Sequence, residues 1–352
     1  MMKKNKFLDD FVFIIGTGNP ELGWKIITWI GENMNSNITP LHLNFDTHPD
    51  NEPNFKIVNN HKIKGKVAII IESVYAESPE LETSLFQLLW ATKYQYGAKG
   101  IILVMPFMKY RRQDHPEKMD EIHRNRYFIH QLKNNGVDAL LLCDIHSQKT
   151  LENCQQENLR VETVSSAHAF ADQLRPQVII ARSEGREFYL FCPDEGSLSR
   201  NIILARLLNV PVLIILKKRL PNGQLEVYRD DDRIKELSEK YGLPILWPEA
   251  ELIKNATICL SDDEIATGRT ATTTGRELLK QGAEEVEFCA THPVCTPGWK
   301  AEVINSEIFS MILFGNTIPR DYKKRTGKKV TDVSLHWILA PKLLSLMAEM
   351  KF

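Results

Sequence analysis

Short apolar runs rich in β-branched residues alternate with longer amphipathic segments along almost the whole chain. The runs have the length and composition of buried strands, and they read FVFII, KVAIII, KGIILVMPF and DALLLCDI in the first half and REFYLFCP, VPVLIIL, ATICLS, EVEFCAT and FSMILF in the second. The segments between them, and the residues after the last run, have helical periodicity; these are 79–96, 119–134, 197–209, 270–281 and 333–350. Alternation of strand and helix is typical of parallel sheets with helices on both faces, so the pattern predicts an α/β fold with mainly parallel sheets.

The alternation divides into two units that meet near residues 150–165. At 352 residues the chain is long enough for two domains of ordinary size, each with its own core. We predict an amino-terminal domain of residues 1–160 and a carboxy-terminal domain of residues 161–330. The final helix, within residues 331–352, has an apolar face and is predicted to pack back onto the amino-terminal domain.

The composition argues against several classes of protein. The chain is 43% hydrophobic and 25% charged with a formal net charge of −1, whereas a nucleic-acid coat or a membrane-surface protein carries a basic excess. No apolar run approaches the roughly 20 residues of a membrane-spanning helix, and the first residues do not have the pattern of a secretory signal. The six cysteines contain no CxxC pair and four lie in or beside strand-like runs, which indicates reduced, buried thiols. We therefore expect a cytoplasmic protein with neither a nucleic-acid nor a membrane partner.

Polar residues follow six of the predicted strands. In parallel α/β sheets ligands bind at the carboxyl ends of the strands, so these side chains are the candidates for a site. The polar segments are 108–115, 144–148, 194–197, 217–219, 262–263 and position 292. One such strand end carries little information, but six in one chain indicate a polar rim and hence a binding site.

The sharpest of these segments is Asp262-Asp263, which is followed by ATGRT after two intervening residues. Neighbouring carboxylates accept several hydroxyl hydrogens and therefore suit the cis-diol of a ribose ring, with or without a metal ion. The small and hydroxyl residues from Ala266 to Thr270 open a predicted helix, and a helix N-terminus binds anions. Together these features predict a phosphoribose pocket. The plainer interpretation is that the two aspartates only cap the helix.

Asp144, Ile145 and His146 follow another predicted strand, and they place a carboxylate and an imidazole two residues apart. With a carboxylate such as Asp194 from a neighbouring strand, His146 could hold Mg²⁺, which takes few protein ligands beside phosphate oxygens. A histidine satisfied by hydrogen bonds in the core is the plainer interpretation.

Two further segments carry cations after a strand. Arg111-Arg112-Gln113 could bind a triphosphate or stack on adenine, or it could be a solvated charged loop. Lys217 and Arg219 have the spacing expected of a mobile loop that stabilises charge during phosphoryl transfer, or of a hairpin with surface lysines. By contrast, GTGNPELG near the start fits neither GxGxxG nor a P-loop, so we interpret it as the first strand-to-helix turn.

Taken in order, the motifs of the chain resemble those of the ribose-phosphate pyrophosphokinases (PRPP synthetases), relatives of the type I phosphoribosyltransferases. The similarity spans about residues 10–320 and rests on VMPFMKYRRQDH, CDIHSQ, CPDEGS, LNVPVLIILKKR, LSDDEIATGRT, CATHP and NTIP. It implies two phosphoribosyltransferase-like domains and a homo-oligomer, either a dimer or a hexamer.

The resemblance also implies an activity, in which the diphosphate of Mg-ATP moves to the C1 hydroxyl of ribose 5-phosphate, giving PRPP, or a PRPP-like product, and AMP. Mg²⁺ is the implied cofactor and ATP the co-substrate. By the same resemblance, Asp50 and Glu52 reach an adenine across a subunit interface. The implied roles are catalysis for Lys217 and Arg219, ATP binding for Asp50, Glu52, Arg112, Gln113 and His146, ribose-phosphate binding for Asp262, Asp263, Thr267, Gly268, Arg269 and Thr270, and Mg²⁺ binding for His146 and Asp194.

The acceptor loop departs from the pattern of the family. Ala266 stands where the family usually has an acidic residue, and Arg269 stands where it has a small one. A lost carboxylate and an added guanidinium favour a more anionic acceptor, so the same chemistry on ADP-ribose, in NAD salvage, is a second hypothesis. The chain could also be a phosphoribosyltransferase, or a catalytically silent regulatory subunit.

Overall fold

The structure is a computed structural model that describes residues 6–50, 52–76, 79–116, 120–220 and 224–350, without the side chains at 45, 47, 53, 79 and 219. The chain divides into two compact units, each described here by itself. Of the described residues, those within Met1–Val164, Thr317–Pro319 and Ser334–Phe352 form the amino-terminal unit. Those within Ser165–Asn316 and Arg320–Val333 form the carboxy-terminal unit.

The amino-terminal unit is built on a five-stranded parallel sheet. Its strands and helices are β1 (Phe11–Ile15), α1 (Pro20–Asn33), β2 (Leu43–Thr47), β3 (Pro53–Ile57), β4 (Val67–Ile71), α2 (Pro79–Trp90), β5 (Gly100–Met105), α3 (Arg124–Asn134), β6 (Ala139–Cys143), α4 (Lys149–Gln156) and β7 (Arg160–Val164). The sheet order is β1-β4-β5-β6-β7, with every pair parallel, while β2 and β3 form a separate antiparallel hairpin.

Hydrophobic burial explains why this sheet forms where it does. Strands β1, β4, β5 and β6 are buried along their whole length, as expected for near-continuous apolar runs covered on both faces. Helix α1 begins with Asn19 as its cap, since the side chain of Asn19 accepts the N–H of Leu22, and Pro20 occupies the first helical position.

The carboxy-terminal unit is built on a larger parallel sheet. Its elements are α5 (Ala167–Ser183), β8 (Phe188–Cys192), α6 (Leu198–Leu208), β9 (Val212–Ile214), β10 (Leu216–Arg219), β11 (Leu225–Tyr228), α7 (Asp231–Tyr241), β12 (Ile245–Leu246), α8 (Ala250–Ile253), β13 (Thr257–Ile265), α9 (Arg269–Lys280), β14 (Glu285–Pro293), β15 (Met311–Gly315), α10 (Tyr322–Arg325) and β16 (Val330–Val333). A last helix, α11 (His336–Glu349), returns to the amino-terminal unit.

The seven strands of this sheet run in the order β12-β9-β8-β13-β14-β15-β16, and all neighbours are parallel. The chain starts at β8, builds outward through β9 to β12, and then returns to the other side of β8 with β13. The strand order therefore reverses between β8 and β13, which is the position where open α/β sheets bind ligands.

The predicted fold class is confirmed, and each of the nine predicted strands overlaps an observed one. Two helix boundaries were predicted wrongly. Helix α3 begins at Arg124, since 120–123 are not helical, and position 119 of the predicted helix lies outside the described residues. Helix α11 begins at His336 because residues Val330–Val333 pair with β15 as an edge strand. Within the described residues, no helix is long and apolar enough to cross a membrane.

Candidate active site

The aspartate pair lies inside a strand and not after it. Strand β13 continues to Ile265, and Asp262 pairs in register with Ala290 of β14. The prediction that the strand ends before the carboxylates is therefore wrong. Pairing of β13 with β8 stops at Leu260, so the carboxylates occupy a part of β13 whose other edge is open at the switch point.

Arg200, which sequence reasoning missed, lies beside both aspartates. Its Nη2 atom is 3.1 Å from Asp263 Oδ1 and 4.0 Å from Asp262 Oδ1. Asp263 is buried, whereas the side chain of Asp262 keeps 43% of its exposure. The arginine thus compensates the buried carboxylate of Asp263, whereas Asp262 is only partly buried.

A signal for Arg200 did exist in the sequence. Arg200 falls in the first turn of α6, where a cation opposes the helix dipole. A cation in that position is unfavourable unless an anion nearby compensates it. The aspartates, which provide that anion, lie about 60 residues further along the chain.

The two carboxylates differ in their environment. Burial and the neighbouring Asp263 carboxylate raise the pKa of Asp262 to about 7, although Arg200 opposes the shift. Asp262 Oδ1 also accepts the backbone N–H of Asp263, at 2.8 Å. Near neutral pH the pair therefore carries a proton part of the time, and a ligand that needs both carboxylates ionised releases that proton on binding.

An open helix N-terminus follows the aspartates. Gly268 precedes α9 with a φ of +83°, and a Cβ there would lie 2.2 Å from Val303 Cγ2, so the position requires glycine. Gly268, at the N-cap, has no side chain that could cap α9, and the first turn, all of it within the described residues, contains no acidic residue. Thr267 Oγ1 accepts the N–H of Arg269, at 3.4 Å. The loop thus presents backbone donors and hydroxyl groups where an anion binds favourably.

Arg269 and Thr270 begin α9 and are exposed. The guanidinium of Arg269 is 77% exposed and lies 3.7 Å from Glu302 Oε1. A loosely paired surface cation of this kind contributes little to stability. It adds positive charge beside the anion-binding turn.

Asp194 follows β8 on the other side of the switch point. Its Oδ1 atom accepts the N–H of Ser197 at 2.9 Å and so caps a short 3₁₀ turn, Glu195–Ser197. The next residue, Glu195, forms an ion pair with Arg233 of α7. The Asp194 loop is therefore anchored from two directions.

The structure corrects the predicted relation between His146 and Asp194. His146 follows β6 of the five-stranded sheet and Asp194 follows β8 of the seven-stranded one, so their strands are not neighbours. In addition, β6 ends at Cys143, and Asp144 has a φ of +32°, so Asp144 and His146 lie in a loop and not on a strand. The predicted single polar rim is therefore divided between two sheets, and it does not include His292, which is buried within β14.

Lys217 lies on β10, which pairs with β11 in an antiparallel hairpin, as the second of the two interpretations of this segment has it. Lys218 forms an ion pair with Glu226 of β11, at 2.9 Å. Lys217 is exposed, and no residue that the structure describes forms an ion pair with it. The backbone of Arg219 ends β10, but its side chain, like the hairpin tip at 221–223, lies outside the described part of the chain.

The predicted ATP residues of the amino-terminal unit follow β5. Arg112 and Gln113 are exposed and line a cleft of about 490 Å³ together with His115, Asp120, Glu121, Ile122 and Arg124. The lining thus has mixed charge, and its cationic, amide and imidazole groups can contact phosphate oxygens and the edge of a base, while its two carboxylates can accept hydrogen bonds or bind a cation.

Asp50 and Glu52 are exposed in the turn of the hairpin formed by β2 and β3. Asp50 Oδ1 accepts the N–H of Glu52, at 3.1 Å. The residue between them lies outside the described part of the chain.

The glycine-rich turn after β1 binds a carboxylate of the chain itself. The carboxylate of Glu72 accepts the N–H groups of Thr17, Gly18 and Ser73 at 3.0, 2.6 and 2.9 Å. Burial raises the pKa of Glu72 to about 7, although these three hydrogen bonds oppose the shift. The backbone N–H groups of this turn thus bind a carboxylate of the chain itself, which agrees with its interpretation as a strand-to-helix turn.

The donor groups fit Mg²⁺ better than a softer metal. In the described part of the chain, no group of three or more His, Cys, Asp or Glu side chains could hold a metal ion. All six cysteines are buried. Separate carboxylates such as Asp194 and Asp262 match Mg²⁺, which binds one or two carboxylates together with substrate phosphates.

The comparisons with known proteins agree with this geometry. A family model of the N-terminal domain of ribose phosphate pyrophosphokinase matches residues 11–136, and a model of the phosphoribosyl transferase domain matches residues 164–322. The ribose-phosphate pyrophosphokinase of Methanopyrus kandleri is 25% identical over 304 residues, which cover 86% of this chain and 92% of the relative. That of Pyrococcus furiosus is 28% identical over 278 residues, which cover 78% of this chain and 86% of the relative.

The fold has a counterpart among solved structures. The crystal structure of phosphoribosylpyrophosphate synthetase from Mycobacterium smegmatis superposes with a TM-score of 0.75 at 20% identity, covering 97% of this chain and all of that one. The fold and the site thus define an α/β protein with phosphoribosyltransferase-like domains. The two family models together narrow this class: the chain belongs to the ribose-phosphate pyrophosphokinase family, whose members are ATP-dependent diphosphotransferases.

Proposed function

We propose that this protein transfers the diphosphate group of Mg-ATP to the C1 hydroxyl of ribose 5-phosphate, with PRPP and AMP as products. The single observation that carries the proposal is the arrangement at the switch point of the seven-stranded sheet. There, a compensated carboxylate pair in β13 leads directly into the uncapped N-terminus of α9. A furanose with hydroxyls at one end and a phosphate at the other matches these two features in order.

The roles of the acceptor residues follow from their exposure. Asp262, which is only partly buried, accepts hydrogen bonds from the ribose hydroxyls, and Asp263 with Arg200 fixes its position. The backbone of Gly268 and the hydroxyls of Thr267 and Thr270 bind the 5-phosphate. The N-terminus of α9 contributes favourable partial charge to the same anion.

Lys217 and Arg219 stabilise the charge on the transferring phosphates. In phosphoryl transfer nearly all catalysis is positioning and charge stabilisation, so cationic residues of a hairpin suit this role. Lys217 is exposed on β10, directly after β9 of the same sheet as β8 and β13, which supports the assignment.

ATP binding is assigned to the amino-terminal unit. Arg112 and Gln113 bind the nucleotide in the cleft after β5, and His146 binds it from the loop after β6. A Mg²⁺-binding role is assigned to His146 in this unit and, separately, to Asp194 in the carboxy-terminal unit. When bound, the ion neutralises negative charge on the diphosphate group.

A homo-oligomer, a dimer or a hexamer, follows from the same proposal, with Asp50 and Glu52 reaching the adenine of a neighbouring subunit. Their exposure at a hairpin turn supports this assignment. Light scattering coupled to size-exclusion chromatography measures the mass. A monomeric protein with full activity would contradict the shared site.

ADP-ribose is a second candidate acceptor, and Arg269 is the observation that favours it. Its guanidinium is 77% exposed at the start of α9, where it could meet a second phosphate group. Ribose 5-phosphate has a single phosphate at this position and offers the guanidinium of Arg269 no second phosphate group to bind.

One assay tests the proposal and separates the acceptors. AMP release from ATP is measured with purified protein and Mg²⁺, with ribose 5-phosphate, ADP-ribose or no acceptor. We expect AMP release that depends on ribose 5-phosphate. Turnover only with ADP-ribose would favour the second candidate, and no AMP with either sugar would favour a regulatory subunit.

A further inference from the structure

The loop after β5 is joined to the loop after β6 by two separate contacts. The guanidinium of Arg111 donates through Nη2 to the carbonyl oxygen of Asp144, at 2.9 Å. The hydroxyl of Ser147 donates to Asp114 Oδ2. These two contacts connect the loop that carries Arg112 and Gln113 with the loop that carries His146.

These two contacts enclose both segments. The four residues that make them, Arg111, Asp114, Asp144 and Ser147, are called the bracket below. Arg111 and Asp114 stand on either side of Arg112-Gln113. Asp144 and Ser147 stand on either side of the loop segment that includes His146. Each contact joins one bracket residue of the first loop to one of the second, so the two functional segments are held side by side.

Burial makes the bracket rigid. Arg111 is 5% exposed and Asp114 is 2% exposed, whereas Arg112 and Gln113 between them are exposed. Hydrogen bonds to a charged and buried group contribute more than neutral ones and are costly to leave unmade. The loop therefore has two buried ends and an exposed centre.

Further bonds hold Asp114 and the backbone around it. Asp114 Oδ1 lies 2.7 Å from His115 Nδ1, and the carbonyl oxygen of Asp114 accepts Nδ2 of Asn153 at 3.0 Å. Asp144 has a φ of +32°, in the left-handed region that aspartate enters more readily than most residues other than glycine. Its carbonyl oxygen accepts the hydrogen bond from Arg111 in this conformation.

We infer that Arg111, Asp114 and Ser147 are positioning residues that hold Arg112-Gln113 and His146 in one fixed arrangement for the nucleotide. This inference rests on the proposed function. Because the bracket lies entirely in the amino-terminal unit, its loss weakens the binding of nucleotide and leaves the binding of the sugar phosphate unchanged.

The test uses a series at Ser147 in the full-length protein. Ser147→Ala removes the hydroxyl that donates to Asp114, and Ser147→Thr retains a hydroxyl at that position. Ser36→Ala is the matched control, because Ser36 Oγ also donates a hydrogen bond within the same unit, to the carbonyl oxygen of Met34 at 3.3 Å. The unfolding midpoint of each variant is measured beside its binding.

Isothermal titration calorimetry with α,β-methylene-ATP and Mg²⁺ gives the Kd for nucleotide without turnover, and initial rates give kcat and the KM for each substrate. For Ser147→Ala we expect Kd and KM for the nucleotide to rise about tenfold, a change of about 1.4 kcal/mol. The KM for ribose 5-phosphate stays the same, Ser147→Thr restores nucleotide affinity to within about twofold, and Ser36→Ala matches the wild type.

The inference is overturned if Ser147→Ala binds the analogue as the wild type does, or if it loses affinity for both substrates equally. It is also overturned if Ser147→Thr is as weak as Ser147→Ala. Failure of the proposed function gives a different result, since the wild-type protein then releases no AMP with either sugar whatever the calorimetry shows.

Discussion

Arg200 Nη2 lies 3.1 Å from Oδ1 of Asp263, whose side chain is only 4% exposed. The arginine comes from the first turn of α6 and the aspartate from the end of β13, so this contact joins the two elements on either side of the switch point. Because Asp262 shares the same guanidinium at 4.0 Å, Arg200 sets the electrostatics of the whole acceptor site.

Arg200→Met is expected to destabilise the carboxy-terminal unit by about 2 kcal/mol, because removing one partner leaves an uncompensated buried carboxylate. The loss is larger at about pH 8 than at about pH 5, where Asp262 holds a proton and the pair repels less. Urea unfolding at both pH values measures it. The control is Arg175→Met, since Arg175 is an exposed arginine of the same unit that donates to the carbonyl oxygen of Leu207. Equal effects of the two substitutions would contradict the role of Arg200.

Binding of the sugar phosphate is expected to weaken as the pH falls below about 7. The pKa of Asp262 is raised to about 7, and the ribose hydroxyls need its ionised form as acceptor. As the pH falls through this value Asp262 gains a proton, so kcat/KM for ribose 5-phosphate decreases by up to about tenfold per pH unit. In Asp262→Asn the activity is lower and this limb of the profile is absent. A limb that persists in the variant would assign the ionisation to another group.

Glu287 is expected to make the protein less stable as the pH rises. Its side chain is buried in β14, Oε2 has no hydrogen-bond partner, and burial raises the pKa of Glu287 to about 8 from an ordinary value of 4.5. Between these values the folded state holds a proton that the unfolded state has released, so the free energy of unfolding falls as the pH rises from about 4.5 to 8.

Glu287→Gln removes this titration. We expect the variant to be more stable than the wild type by on the order of 2 kcal/mol at about pH 8, and by much less at about pH 5. Urea unfolding at both pH values checks it. Glu277→Gln in the same unit is the control, since Glu277 is 54% exposed in an ion pair with Lys280 and is expected to change stability little. A wild-type protein whose stability does not depend on pH in this range would refute the assignment.

Gly18→Ala is expected to cost several kcal/mol, because its Cβ would lie 2.0 Å from the carbonyl oxygen of Ser73 and 2.3 Å from Glu72 Oε1. Gly185→Ala is the control: Gly185 has a φ of +71° but open space around the Cβ position, so it costs only about 1 kcal/mol. Thermal unfolding compares the two. Similar losses would mean that the turn can move away from Glu72.

Much of the fold follows from the sequence because strands such as β4 and β5 are continuous apolar runs, and burial on both faces selects that composition. The strands that escaped prediction lack this signal. Strand β11 is mostly exposed, with Leu225 and Val227 at 62% and 52%, and it forms only by pairing with β10. Pairing with β14 also extends β13 through Asp262 and Asp263, although aspartate has a low strand propensity.

The candidate site was predictable where its signal is local and not where it is long-range. Asp262, Asp263 and the turn before α9 are close together in the sequence, so their residue types alone indicate a carboxylate pair beside a helix N-terminus. Arg200 is remote in sequence, and only the fold brings it to Asp263. His146 and Asp194 were predicted on neighbouring strands because the sequence does not specify which sheet a strand joins.

The central claim is that the diphosphate group of ATP moves to the sugar, and ³¹P NMR of the reaction products tests it most directly. ATP and ribose 5-phosphate are incubated with the wild-type protein, with Lys217→Ala, and with Lys218→Ala as the neighbouring control. We expect equal amounts of AMP and a sugar carrying a diphosphate at C1 from the wild type and Lys218→Ala, and at least about 100-fold less from Lys217→Ala. Formation of ADP in place of AMP, or an unchanged rate in Lys217→Ala, would contradict the claim.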